Sequence, residues 1–95
     1  MKADILQKIE KDFAEHHQFA IKQIEVFDAK HKGLLTDRIL RAVVFLAKGN
    51  SEKLMQVLAL AETDYRDVLW QAEYDRNEQR IYDFNQSFYE LKLIV

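Results

Sequence analysis

The side chains able to do chemistry fall into a few clusters along this chain. Asp12, Glu15, His16 and His17 stand together, and Asp28 and His31 come after them. Asp12 and His16 are four apart and Asp28 and His31 three apart, spacings that put each pair on one face of a helix. Imidazole and carboxylate so placed can hold a divalent ion. The repeated Glu-x-x-His of di-metal bundles is absent, and Asp28-x-x-His31 is a single weakened copy of it. The expectation is therefore no metal and no cofactor. These residues read as solvated side chains of a long amphipathic helix, with His16 or His17 at the core margin.

Nucleophilic catalysis has little to work with. Ser51 and Ser87 are the only serines, neither lies in a Gly-x-Ser-x-Gly turn, and two glycines are too few for an oxyanion loop. With no cysteine there is no thiolate nucleophile, no thiolate zinc site and no disulfide framework. Glu62, Asp64, Asp67, Glu73, Asp75 and Glu78 crowd one stretch with only Arg66 and Arg76 among them, the pattern of an ordinary charged surface. No reaction is expected.

One basic stretch is a candidate for an anion. From Lys30 to Lys48 there are five Lys or Arg and one acid, Asp37, a local balance of +4. Arg38, Arg41 and Lys48 line up at helical spacing, so two guanidinium groups one turn apart could grip an anion, and Phe45 could stack on a base. The opposing reading pairs Arg38 and Arg41 with the acids of the fourth helix. A helix-turn-helix reader is a poor fit, because the following helix offers Glu52, Lys53, Gln56 and Glu62. A net charge of −2 also argues against phosphate-backbone binding as the main activity. Charge is uneven, +2 over residues 1–48 (nine basic, seven acidic) and −4 over residues 49–95 (five basic, nine acidic), which permits head-to-tail association.

These side chains must be positioned by helices. The chain of 95 residues reads as one domain, all-α, a small antiparallel bundle of about four to five helices. Leu6, Ile9, Phe13, Ala20, Ile24 and Phe27 recur at helical steps from Ala3 to His31, as one helix or as two broken near His16-His17-Gln18. Gly33 and Gly49 sit where helices should end, and they frame a second helix from Thr36 to Lys48. Thr36 is its expected cap. That helix is apolar nearly all round, which places it at the centre of the fold. A third helix is expected from Asn50 or Ser51 to Glu62, with Leu54, Val57, Leu58 and Ala61 inward. A fourth opens at Thr63 or Asp64, with Tyr65, Val68, Leu69 and Ala72 inward. In the tail, residues 80–95, Ile81, Phe84, Phe88, Leu91 and Val95 keep helical spacing, while Tyr89, Leu91, Leu93 and Val95 alternate as in a strand. Helix is the expectation there, and a β-hairpin the alternative.

Several apolar residues remain after the core is assigned: Leu60, Trp70, Tyr74 and the run Leu93-Ile94-Val95. Trp and Tyr are enriched where proteins touch. A protein partner is expected, most simply a second copy, since a two-fold axis lets one patch bury itself. Nucleic acid is not the expected partner, nor is a membrane: the greasiest stretch, Ile39 to Ala47, is too short to span one and is broken by Arg41. The charged start Met1-Lys2-Ala3-Asp4 gives no apolar signal region, and a cytoplasmic location is the expectation.

Overall fold

A computed structural model describes residues 1–94. The elements are α1 (Ala3–Phe13), a 3-10 turn (Ala14–His16), α2 (His17–Lys30), α3 (Asp37–Ala47) and α4 (Ser51–Glu73). In α1, Ile5, Ile9 and Phe13 recur every four residues and are all buried. Ala14 then takes φ 49, which no helix accepts, and the chain turns. Met1 and Leu6 line one cleft together with Ile24 and Asp28, so α1 and α2 run antiparallel. The break anticipated near His16 thus falls a little earlier and reverses the chain.

The two glycines act as the sequence implies. Gly33 lies at φ +85 in the turn after α2, and Gly49 at φ +74 between α3 and α4. Thr36 caps α3, its hydroxyl accepting from the Ile39 N–H at 3.3 Å. Ile39, Leu40, Ala42, Val43, Val44 and Ala47 are buried, so α3 is the centre of the molecule. Asn50 rather than Ser51 caps α4, its Oδ1 accepting from the Lys53 N–H at 2.8 Å. α3 and α4 form the tight hairpin, the most extensive helix pairing in the fold.

The helices are divided differently from the expected bundle of four to five. The anticipated third and fourth helices are one element, α4, kinked at Asp64 where φ is −158 and ψ 95. The cap signal at Thr63-Asp64 is used, but inside the helix: Asp64 Oδ1 accepts from the Arg66 N–H at 3.0 Å and restarts the spiral. The kink rotates the second half of α4 against the first. Val68 and Ala72 stay buried, whereas Tyr65, placed in the core stripe by its spacing, is exposed.

The tail is neither helix nor hairpin. Residues 75–94 form a strap of turns and extended chain, and among the described residues the lone β pairing is a single antiparallel bridge between Tyr74 and Arg80. Phe84 is fully buried, and Tyr82, Phe88 and Leu91 pack at the edge of the core. The apolar residues of the helical pattern are therefore used, with another backbone. Among the described residues no helix is long and apolar enough to cross a membrane.

Candidate functional site

The cationic candidates on α3 are answered by carboxylates. Arg38 donates through Nε to Glu73 Oε2 at 3.0 Å and through Nη2 to Oε1 at 2.5 Å. Glu73, the last residue of α4, is fully buried. It also accepts from Arg80 Nη2 at 3.3 Å and from the Phe84 N–H at 3.0 Å. One turn along α3, Arg41 is buried and donates through Nε to Asp4 Oδ2 at 2.9 Å and through Nη2 to Oδ1 at 3.3 Å. Its Nη1 donates to the Phe84 carbonyl at 3.2 Å, while the Phe88 N–H donates to Asp4 Oδ2 at 2.9 Å. Arg38 thus pairs with α4, and Arg41 pairs with α1. Lys48 stands apart, exposed at φ 50 beyond the end of α3. Arg38, Arg41 and Lys48 do not form a free cationic face; both guanidinium groups are clamps that hold the tail.

Both carboxylates stay ionised for a physical reason. Burial alone pushes Asp4 and Glu73 up, and the guanidinium and backbone N–H donors more than reverse that, leaving each below its ordinary value. Hydrogen bonding to Glu73 raises Arg38 in turn. Asp83 is lowered as well, chiefly by the Asn85 N–H that its carboxylate accepts at 3.0 Å.

The apolar candidates fare unevenly. Leu60 is half-buried and packs against the core, so it is not a free surface residue. Trp70 is 46% exposed and stacks on Tyr74, with ring centroids 4.4 Å apart and planes 14° apart. The Ile94 N–H donates to the Ile81 carbonyl, and the Ile81 N–H to the Glu73 carbonyl, so Ile94 lies near the C-terminal end of α4. Leu93 and Ile94 are exposed there. Val95, the remaining interface candidate, lies outside the described residues. The structure therefore brings Trp70, Tyr74 and Leu93 to one end of the molecule.

The metal candidates scatter. Asp12 is held by Lys8 at 3.2 Å, His16 lies 3.6 Å from Glu15, and His31 sits 3.7 Å from Glu62 with its ring against Phe27. Asp28 lines a separate cleft beside Met1 and Leu40. Among the described residues no group of three His, Asp or Glu is placed to hold a metal ion.

Asp4, Glu73, Arg80 and Phe84, which build the clamps, carry no mark in the sequence that sets them apart. One signal is present: Arg41 stands between Leu40 and Ala42 in the most apolar helix, and a buried charge requires a partner. Nothing in the spacing says which of the 16 acids that partner is. No protein-family model, no curated protein and no solved structure matches this chain, so a functional reading rests on the geometry alone.

Proposed function

We propose that this chain works by binding protein, with a second copy as its simplest partner, through the end of the molecule that carries Trp70, Tyr74 and Leu93. The observation that carries this reading is Trp70, the chain's one tryptophan, nearly half exposed and stacked on Tyr74. A tryptophan stacked on tyrosine is a large, rigid apolar face with little rotamer entropy left to lose on docking. Leu93 and Ile94 extend the apolar area. A two-fold axis through this end would let one patch cover itself, which is the commonest symmetry of soluble assemblies. No reaction is proposed.

Sedimentation velocity at micromolar concentration tests the reading. A dimer that dissociates on Trp70→Ala, with the helical circular dichroism retained, supports it. A strict monomer, unchanged by that substitution, overturns the self-association.

A further inference from the structure

A different surface lies where α1, α3 and the strap meet. Lys8 and Lys11 of α1, Phe45 of α3, and Phe88, Tyr89 and Leu91 of the strap line one cleft. It continues past Lys8, Lys11 and Phe45 to Asp12 and Lys48. Phe45, Phe88 and Leu91 are half-buried and form an apolar floor. Tyr89 is 63% exposed at the mouth. The rim is cationic. The Lys8 ammonium lies 5.7 Å from the Phe88 ring centroid and 3.2 Å from Asp12. Lys11 and Lys48 have no carboxylate within ion-pairing distance among the described residues. Asp4, at the inner edge, is spent on Arg41 and the Phe88 N–H, so it leaves the rim positive.

We propose that this cleft binds an acidic peptide segment of a partner protein, with an apolar side chain on the floor and flanking carboxylates on Lys8, Lys11 and Lys48. Charge complementarity selects the occupant: three lysines face one aspartate at this place, in a chain whose net charge is −2. A nucleic acid is the poorer fit. Three lysines reach few phosphates, and among the cleft aromatics Tyr89 alone is exposed enough to stack on a base. A floor of two aromatic rings and a leucine matches an aliphatic or aromatic side chain, and the lysine rim matches its acidic neighbours. This surface goes beyond the Trp70 end, and it stands or falls separately.

The test is fluorescence anisotropy on the full chain with a labelled glutamate–tyrosine copolymer as the probe. Polyglutamate and a single-stranded oligothymidylate serve as parallel probes. The copolymer is expected to bind at low salt, to weaken as salt rises, and to bind more tightly than polyglutamate. Lys11→Glu and Lys48→Glu should each weaken it about tenfold, because reversing one rim charge replaces an attraction by a repulsion. Both side chains are exposed, so circular dichroism and melting should hold. Trp70→Ala should leave this binding intact, which separates it from self-association. Absence of binding at low salt, or binding that both lysine variants leave unchanged, overturns the proposal. Equal affinity for polyglutamate overturns it too, since the apolar floor would then play no part. Tighter binding of oligothymidylate would give the cleft to nucleic acid instead.

Discussion

Glu73→Gln is the sharpest probe of how this fold is held. The glutamine has nearly the same shape, so no cavity opens, and the change is one of charge and acceptor capacity. The native carboxylate accepts four hydrogen bonds, from Arg38 Nε, Arg38 Nη2, Arg80 Nη2 and the Phe84 N–H. The amide keeps one acceptor oxygen and turns a donor toward the other two partners. Arg38 and Arg80 are about a third exposed, with side chains at 35% and 36%, so water recovers part of their loss. With its oxygen in the Oε2 position the amide keeps the Phe84 N–H and Arg38 Nε, and its NH2, fully buried, then faces two guanidinium donors with no acceptor. An orphaned buried donor costs about 1–3 kcal/mol, and losing the charge partner of two guanidinium groups adds about 1–2 kcal/mol after solvent screening. The sum is about 3 kcal/mol, a large share of the roughly 5–15 kcal/mol that holds a domain together. For a domain of this size that corresponds to a fall in Tm of about 12–24 °C. Urea and thermal unfolding followed by circular dichroism measure it. A variant melting within about 2 °C of the parent, too little for even 1 kcal/mol, would refute the reasoning, because the buried carboxylate would then contribute no more than a surface one.

Other consequences are as direct. A Cβ at Gly49 would lie 2.1 Å from the Asp12 carbonyl oxygen at φ +74, so Gly49→Ala should cost about 3 kcal/mol of strain and displaced backbone by urea unfolding. Gly33→Ala, at φ +85 with nothing within 4 Å, should cost only about 1 kcal/mol, and equal effects at the two glycines would count against this account. Val43→Asp places an unpaired charge at a fully buried site of α3 and should abolish the cooperative melt; a folded variant by circular dichroism would show that the site admits water. Asp4 and Glu73 are held below their ordinary values of 3.8 and 4.5. A depressed carboxylate contributes its stability fully above the ordinary value and loses it as pH falls through the folded value. Tm should therefore be level from neutral pH down to about 5 and drop in the range below about 4.5, less steeply in Glu73→Gln. A Tm that held level down to about pH 2 would contradict the paired-carboxylate account.

The parts of this fold that are legible in the sequence are those set by local forces. Helix ends are local: Gly33, Thr36, Gly49 and Asn50 each act within one turn of themselves, and their positions carry over to the structure. The apolar belt of α3 is local too, since a helix greasy on every side has only one place to go. The joint at Asp64 is less legible, because the same cap chemistry starts a new helix or kinks an old one. The clamps are not local at all. Asp4 and Arg41 are 37 residues apart, and Glu73 and Arg38 are 35 apart. Arg38 and Arg41 look like a ligand grip in one dimension because their partners lie that far away along the chain, in opposite directions. Trp70 is exposed as its helical position implies, while Leu60 is not, since the edge of the core extends further around α4 than an isolated helix suggests.

The tail shows why a correct period can accompany the wrong backbone. In a helix the Phe88 N–H would donate to the Phe84 carbonyl, four residues back. Here that donor goes to Asp4 Oδ2, and that acceptor receives Arg41 Nη1. The Asp4–Arg41 ion pair stands between the two groups and supplies each with a charged partner, which is a stronger hydrogen bond than the helical one it replaces. Glu73 does the same for the Phe84 N–H. Helix propensity in the strap favours the spiral by no more than tenths of a kcal/mol per residue, and a charge-assisted bond contributes about 1.5–3 kcal/mol, so the clamps decide the conformation. The apolar side chains at 84, 88 and 91 reach the core either way. The extended strap has one further effect, which is to use up both arginines of α3. The cations left at the surface beside Phe45 are then lysines, Lys8 and Lys11 of α1 and Lys48 just past the end of α3.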